Sequence, residues 1–509
     1  MNPDMIMLDD DFRLSSFRSY DMGCFCPLHL KEFYRLIGEE IPRKKIKWLV
    51  YTGGRNKYRD AYMDMLKSTL LEFAKKVEKT VHNINKDIRI SACLVPSLWD
   101  IEGTDGIEIA RTFAGETQPY LRFFGAPYHD KYTLVTAIER ERLQASWTKE
   151  KNADIEVFAE GDVYPSPRYN VPSKALELFD LALVCDDNLD GILKYMFDYD
   201  KKVGYETGYI DNHIKNLSVK NEIQQIFEGK KNTGVSVFCE MHKARSYELT
   251  NELENDISQK MLSLTNCISS LLISKNAIPT CYEASQYPVA VIGENAKYIS
   301  LERMGNGVIL DITAAKILSE RGIDVGLLSA EEKTDYTHEY YINNDEILLL
   351  EELKTHKVIC NERARILTTF LPYKTPGVYA YENDEGIRFL VYACDLQWDK
   401  PLFSDNNSTY FNNYHRQAQL IQEIEWCCKK KLPVVCKKHP NLYVIASRDE
   451  KSMSVFMANI FMDDILNPEI VLDKEYSNVR FINCSGELKK DKILLNDIPA
   501  YSFAAFEVE

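Results

Sequence analysis

The amino-acid sequence predicts an α/β protein that begins with a parallel βα array of the kind found in (β/α)8 barrels. Over roughly the first 230 residues, short runs rich in β-branched and aromatic residues alternate with stretches of helical periodicity. Two of these runs end directly in clusters of carboxylates, and a parallel barrel carries its active-site residues at the carboxyl ends of its strands. Only five such runs are present, whereas a closed barrel needs eight, so the array is expected to be incomplete.

The predicted strands and helices of this array follow one another at the spacing of βα units. Helical periodicity predicts the connecting segments at 28–37, 57–82, 130–147 and 172–179. Because connections between neighbouring strands are short and right-handed, the strands are expected side by side in chain order. The five predicted strands are 4–8, 88–95, 120–124, 154–159 and 180–185.

Two further parts are predicted after the array. One is a smaller α/β layer, in which 306–322 reads as a strand and then a helix, with Gly322 just after the helix end. From about residue 348 onward β-type runs dominate, interrupted by one helix over 413–430, so the chain is expected to end in an antiparallel β-domain. The predicted domains are 1–230, 231–435 and 436–509.

Charge and composition argue against several classes of partner. The chain carries 62 basic and 77 acidic residues, a net charge of −15, which disfavours nucleic acid and anionic membranes. No apolar run approaches the ~18 residues of a membrane span, and the first residues lack the pattern of a signal peptide. The 13 cysteines are odd in number and scattered, as expected for reduced thiols. We therefore expect a cytoplasmic protein.

The two carboxylate clusters are the candidate catalytic groups. Asp9, Asp10 and Asp11 follow the first predicted strand, and Glu160 and Asp162 follow the fourth. Hydrolysis of a glycoside needs two acids, one to protonate the leaving oxygen and one to attack or to activate water. The alternative for the first cluster is a solvated acidic loop or a helix N-cap, which Asp favours. A similar alternative applies to Glu160.

A second motif, Cys24-x-Cys26-x-x-His29, has a spacing typical of zinc sites. Thiolate and imidazole are good zinc ligands, and a structural site usually has four of them, whereas three are local here. The alternative is a pair of packed cysteines beside a histidine at the start of a helix.

These motifs resemble those of the β-galactosidases of glycoside hydrolase family 42 and their relatives. In that family an Asp-Asn-Glu-Tyr stretch ends the fourth barrel strand, and a Cys-x-Cys-x-x-Cys zinc cluster follows it. The matching stretches here are Asp9-Asp-Asp-Phe12 and Cys24-Phe-Cys-Pro-Leu-His29, and the segment that carries the family's nucleophile matches Val157-Phe-Ala-Glu160. Residues 307–322 resemble part of the family's amidotransferase-like trimerisation domain, and the β-rich tail resembles its C-terminal domain.

The resemblance implies a (β/α)8-type barrel without its first three strands, then a flavodoxin/amidotransferase-like α/β domain and a small antiparallel β-domain. It gives Glu160 the role of nucleophile and Asp11 that of acid/base, where the family has the longer Glu. It also implies a homotrimer and a structural zinc held by Cys24, Cys26 and His29. The chemistry itself requires no cofactor.

The sequence therefore predicts a β-galactosidase-like enzyme that hydrolyses β-linked sugars by double displacement. The alternative is a non-catalytic subunit with an incomplete barrel that binds carbohydrate or forms oligomers. Further residues around the predicted mouth are candidate substrate contacts, since Arg and His side chains can hydrogen-bond sugar hydroxyls. For each of them the alternative is a structural loop residue. These candidates are Asp10, Arg122, Tyr128, His129, Asp162 and Glu206.

Overall fold

The structure is a computed structural model of the 509-residue chain. The residues that it describes are 3–9, 12–14, 23–94, 100–127, 134–162, 171–196, 202, 204, 208–249, 268–350, 353–396 and 412–509.

A parallel sheet with helices between its strands forms the first part of the molecule. Its described strands are β1 (Met5–Leu8), β2 (Arg89–Leu94), β3 (Tyr120–Phe123), β4 (Glu156–Gly161) and β5 (Gly191–Lys194). Each strand pairs in parallel with the next one along the chain, which confirms a parallel βα array. The helices of this part are α1 (Pro27–Ile37), α2 (Arg43–Tyr51), α3 (Lys57–His82), α4 (Gly106–Ala114), α5 (Leu134–Lys151), α6 (Ser173–Leu183) and α7 (Gly208–Phe227).

The prediction of a fifth strand at 180–185 is wrong. Helix α6 continues through Leu183, and the fifth strand is the following segment, Gly191–Lys194. The run Leu181-Ala-Leu-Val is apolar because α6 is buried on several sides, and a short apolar run does not distinguish a buried strand from a buried helix. The sequence analysis also missed α2, α4 and α7.

Alternate side chains of the sheet divide between a helix-covered face and a concave face. On β4, Val157 and Ala159 are fully buried against the helices. Glu156, Phe158 and Glu160 therefore point to the concave side, because successive strand residues face opposite ways. The concave side is polar, since Arg89 Nη2 lies 2.7 Å from Glu156 Oε2.

A larger mixed sheet forms the middle of the molecule. Its described strands are β7 (Val235–Val237), β8 (Thr280–Cys281), β9 (Val289–Val291), β10 (Val308–Asp311), β12 (His338–Tyr341), β13 (Glu346–Leu349), β15 (Arg365–Leu371), β16 (Thr375–Glu382) and β17 (Arg388–Tyr392). Their order is β13-β12-β15-β16-β17-β10-β9-β7-β8, and the five strands from β17 to β8 run parallel. The helices here are α8 (Ile268–Ser274), α9 (Ile312–Glu320) and α10 (Tyr414–Cys428).

Helix α9 confirms the predicted strand-then-helix unit. Asp311 caps the helix by accepting a hydrogen bond from the backbone N–H of Ala314, and Gly322 follows the helix end with a positive φ of 83°. A small antiparallel sheet lies beside this part. Its described strands are β11 (Leu327–Glu332), β14 (Lys354–Cys360) and β18 (Cys394–Asp395), and 3-10 turns occupy Ala244–Ser246, Gly293–Lys297 and Leu301–Met304.

Two antiparallel sheets pack face to face at the C-terminus, around a core of alternating apolar residues. The first contains β19 (Val434–Cys436), β22 (Glu469–Leu472), β25 (Lys492–Leu495) and β24 (Gly486–Lys489). The second contains β23 (Val479–Ile482), β26 (Ser502–Val508), β21 (Met453–Asn459), β20 (Leu442–Arg448) and β6 (Lys231–Asn232). Strand β6 thus joins the C-terminal sheet although it follows α7 directly. The domain boundaries at 230 and 435 stay predictions.

One buried arginine connects these three parts. Arg142 of α5 is fully buried, and its guanidinium lies 2.9 Å from both Glu139 Oε1 and Asp186 Oδ2. It also donates to the carbonyl oxygen of Thr280 on β8, at 2.9 Å, and to the hydroxyl of Tyr443 on β20, at 3.2 Å. Burial opposes the charge, but Tyr443, Glu139 and Asp186 outweigh it and raise the pKa of Arg142 well above its ordinary value.

Among the described helices, none combines the length and the apolarity that crossing a membrane requires.

Replacing Arg142 by Leu should destabilise the fold by about 3–5 kcal/mol, because Glu139 and Asp186 would stay buried without their cation. Urea unfolding followed by circular dichroism measures the effect. The matched control is Arg111→Leu, which breaks the exposed pair with Asp154 and should cost about 0–1 kcal/mol. Equal losses in the two variants would show that the buried network is not the stabilising element.

Candidate active site

Three charged groups come together at the carboxyl ends of the first, third and fourth strands. Asp9 directly follows β1, Arg122 lies on β3 and Glu160 lies near the end of β4. Because the strands are parallel neighbours, their carboxyl ends share one edge of the sheet. The two carboxylate clusters of the sequence therefore meet at this edge through residues Asp9 and Glu160.

The Glu160 carboxylate is buried and held by two donors. Its side chain is 3% exposed, and Oε1 lies 2.8 Å from Arg122 Nη1. Oε2 accepts a hydrogen bond from the backbone N–H of Gly125, at 3.4 Å. A guanidinium at this distance favours the ionised form of a carboxylate and fixes its orientation. Both properties suit a carboxylate that attacks an electrophilic carbon.

Arg122 lies between the two acidic clusters. Its second amino group, Nη2, is 3.4 Å from Asp9 Oδ1, while Nη1 pairs with Glu160. Asp9 is 80% exposed, so this second contact is weak, whereas the contact to Glu160 is shielded from water. Arg122, predicted as a substrate contact, thus pairs with acids from both clusters.

A further carboxyl group, Glu141 of α5, lies behind Glu160. Its side chain is fully buried. Burial raises the pKa of Glu141 well above its ordinary value, and the charge of Glu160 raises it further. Arg140, Arg122 and the backbone N–H of Glu160 act in the opposite direction. Gly125 lies against this group, because a Cβ built on Gly125 would overlap Glu141 Oε1.

The remaining predicted residues of this site are only partly described. Asp162 is buried just beyond the end of β4, two residues after Glu160. The predicted acid/base and four of the predicted substrate contacts lie outside the described residues, and their roles stay predictions. These residues are Asp11, Asp10, Tyr128, His129 and Glu206.

The structure brings Cys24, Cys26 and His29 together as the spacing predicts. Their ligand atoms all lie within 4.8 Å of one another, and Cys26 Sγ is 3.7 Å from His29 Nδ1. The backbone N–H of His29 lowers the pKa of the Cys26 thiol, which favours the thiolate, whereas burial raises the pKa of Cys24. Two thiols and an imidazole at these separations fit a Zn²⁺ ion, whose bonds to such ligands are about 2.0–2.3 Å long.

Tyr62 of α3 supports the loop that carries Cys24 and Cys26, just before α1. The Tyr62 hydroxyl of α3 donates to the carbonyl oxygen of Cys24 at 3.0 Å, and the rings of Phe25 and Tyr62 stack with centroids 4.8 Å apart. The three ligands are half-buried on this support.

A second group of metal-ligand residues contains Glu177, Asp180 and His213 between α6 and α7. Its centre already holds a cation, because Lys194 Nζ contacts Glu177 and lies 3.0 Å from both Asp180 Oδ2 and His213 Nδ1. Burial opposes the charge of Asp180, but His213, Lys194 and Lys220 outweigh it and hold its pKa well below the usual range. This group is therefore an internal ion cluster that joins α6, β5 and α7.

The sequence reading missed Asp9 as a partner of Arg122, and it missed Gly125 and Glu141 altogether. The stretch Glu139-Arg-Glu-Arg142 in a predicted helix has the composition of a solvated face, yet all four side chains are buried. The sequence does not show that these charges on α5 are buried, because their burial depends on the elements that pack around the helix.

Comparison with known proteins gives matches in structure alone. No protein-family model and no curated protein sequence matches the chain. Gan42B, a GH42 β-galactosidase from G. stearothermophilus, matches with a TM-score of 0.55 at 11% identity, over 95% of this chain and 76% of that one. The fold resembles that of the GH42 β-galactosidases. This finding confirms the resemblance that the sequence motifs suggested.

Two other solved structures are also similar to this chain. A β-galactosidase from Bacillus circulans sp. alkalophilus matches with a TM-score of 0.55 at 13% identity, over 96% of this chain and 77% of that one. Alpha-L-fucosidase isoenzyme 2 from Paenibacillus thiaminolyticus matches with a TM-score of 0.60 at 8% identity, over all of this chain and 78% of that one. The fold of this chain is thus similar to those of glycosidases that differ in the sugar named for them.

Gly125→Ala tests the packing behind Glu160. The added methyl group would overlap the buried Glu141 carboxyl, so we expect a loss of about 1–3 kcal/mol in unfolding free energy. The matched control is Gly305→Ala, where the only neighbour of the new Cβ is Glu302 O at 3.7 Å, and where stability should be unchanged or slightly higher. Thermal denaturation of both variants measures the difference. If Gly125→Ala is as stable as wild type, the packing between residue 125 and the Glu141 carboxyl has room for a methyl group.

Proposed function

We propose that this protein is a glycoside hydrolase that acts on β-linked sugars by double displacement, in the manner of a β-galactosidase. The observation that carries the proposal is the Glu160 carboxylate, fixed by Arg122 at the carboxyl edge of a parallel βα array. Its support is the fold, since the GH42 enzymes and the fucosidase that share it are named as glycosidases.

In the proposed first step, a Glu160 oxygen forms a bond to the anomeric carbon while the bond from that carbon to the leaving oxygen breaks. Asp11, protonated at this stage, gives its proton to the leaving oxygen. In the second step Asp11 takes a proton from water, the water oxygen bonds to the anomeric carbon, and the Glu160 carboxylate is released. Arg122 compensates the charge that returns to Glu160.

A non-catalytic role in carbohydrate binding is the rival function, and one observation favours it. The Glu160 side chain is only 3% exposed, and both of its oxygens already contact donors. Attack on a substrate would require the carboxylate to be reached from the concave face. Measurement of turnover beside measurement of binding separates the two functions.

Glu160→Gln should abolish nearly all hydrolysis of an aryl β-galactoside, by at least about a thousandfold, because the amide cannot form the glycosyl intermediate. Release of the coloured aryl alcohol measures the rate. Glu156→Gln is the matched control, because it lies on the same strand and also pairs with an arginine, Arg89, at the opposite end of the sheet. It should retain turnover within a few fold.

Asp11→Asn should matter less for aryl glycosides, whose leaving groups need little protonation. For alkyl-linked sugars Asp11→Asn should lower the rate of hydrolysis by about 10²–10⁴-fold.

The rival function would be established if the wild-type protein binds galactosides in calorimetry but hydrolyses none of a panel of aryl glycosides.

For Cys24, Cys26 and His29 we propose a structural zinc site, which the donor set and its separations support. Zinc here would hold the loop before α1 and would take no part in the sugar chemistry. Elemental analysis of protein prepared without chelator should find about one zinc per chain, and Cys24→Ser should lose it. Cys360→Ser, at another half-buried thiol, is the control that should keep it. Zinc-free wild-type protein would contradict the site.

We also propose the homo-oligomer that the resemblance implies, a trimer. Two exposed apolar residues on the antiparallel pair β11 and β14 support a contact surface there: Leu328 is 66% and Ile359 is 53% exposed.

A further inference from the structure

Helix α5 carries four consecutive charged residues, Glu139 to Arg142, and all of them are buried. Glu139 and Arg142 satisfy one another in the network that joins the three parts of the molecule. Glu141 points elsewhere, since it is two residues from Glu139 and therefore about 160° away around the helix. Among the described residues, neither of its oxygens accepts a well-formed hydrogen bond, although the backbone N–H of Glu160 lies close enough to favour the charged form slightly. Burial without a cation at hydrogen-bonding distance therefore favours the protonated form of this carboxyl.

Glu141 and Glu160 approach the same residue from two sides. The backbone N–H of Gly125 donates to Glu160 Oε2 at 3.4 Å, and a Cβ on Gly125 would lie 3.1 Å from the Glu141 carboxyl carbon. Two buried carboxyl groups that both lie against Gly125, and of which one raises the pKa of the other, cannot both be ionised at low cost. Their protonation is therefore coupled.

The charges around the pair decide which group holds the proton. Arg122 of β3 pairs with Glu160 at 2.8 Å, so the negative charge is best placed on Glu160. Glu141 faces Glu160 from β4, Arg122 from β3 and Arg140 from its own helix. Burial and the charge of Glu160 raise the pKa of Glu141 by more than the two arginines and the backbone N–H of Glu160 lower it. The proton belongs on Glu141.

We propose that Glu141 is a positioning residue whose buried, protonated carboxyl lies behind Glu160 and keeps Glu160 ionised and in place. The inference rests on the proposed function for its catalytic meaning, but the shared proton is a property of the folded chain alone. When Glu141 ionises at higher pH, repulsion between the two carboxylates displaces Glu160 from Arg122. Glu141 thus sets an upper pH limit for an aligned nucleophile.

The first test needs no activity. The pKa of Glu141 is raised in the folded state, so the unfolded chain releases this proton first as the pH rises. Stability is therefore lost as pH rises above the unfolded-state value of about 4.3, until the folded-state pKa is passed. In this pH window the unfolding equilibrium constant of wild type should rise about tenfold per pH unit more than that of Glu141→Gln, whose amide does not ionise.

Glu150→Gln is the matched control, because Glu150 is an exposed carboxylate on the same helix. Its stability should follow that of wild type at every pH. When Glu160→Gln is also present, the difference in pH-dependent stability that Glu141→Gln causes should shrink, because the neighbouring charge is absent. If Glu141→Gln does not fold, Glu141→Met removes the same ionisable group. Parallel pH dependence of wild type and Glu141→Gln would overturn the proposal.

The second test is kinetic and uses an aryl β-galactoside, for which protonation by Asp11 contributes little. The alkaline limb of turnover should move to higher pH in Glu141→Gln, while turnover near neutral pH stays within a few fold. A purely structural role would lower the rate at all pH values and would leave the limb unmoved, which contradicts the proposal. Absence of turnover in wild type would reject the proposed function, and the stability measurement would still decide the protonation of Glu141.

Discussion

The buried guanidinium of Arg142 is the interaction on which the arrangement of this protein depends. It is fully enclosed, and its partners come from the βα array, from the middle sheet and from the C-terminal sheet. Removing any one of these parts would leave a buried charge or hydroxyl without its partner, which costs several kcal/mol. The three parts are therefore held in one relative position by directional contacts, in addition to the apolar core that they share.

The same helix determines the candidate site. Arg142 fixes the rotation of α5, and that rotation directs Glu141 toward β4 and places its carboxyl behind Glu160. Gly125 is required at the end of β3 because the Glu141 carboxyl occupies the space of a side chain. The network of Arg142 and the proposed positioning role of Glu141 thus fall on adjacent residues of a single helix.

The concave face of the array shows how an open βα sheet can be accommodated. Its described strands carry the ion pairs Arg89–Glu156 and Arg122–Glu160 on this side, with the aromatic ring of Phe158 between the two acids, whereas layers of mostly apolar side chains fill a closed barrel. The Arg89–Glu156 pair is partly exposed and tolerates contact with water, whereas exposed aliphatic side chains in its place would favour aggregation. In a glycosidase this polar face would also receive the hydroxyls of a sugar.

The sequence by itself determined the parallel array, most of its helices, the pairing of two acidic clusters with two strand ends, and the grouping of Cys24, Cys26 and His29. These features depend on local periodicity and on short spacings, which a linear pattern contains. It misplaced the fifth strand, because the apolar end of α6 and a buried strand have the same composition. Tertiary structure alone decided that Arg122 lies between Asp9 and Glu160, that Gly125 must lack a side chain, and that Glu141 is buried beside a second carboxyl. Each of these depends on residues distant in sequence, and the ionisation of a carboxyl group depends on the charges and the water around it, which only the folded chain defines.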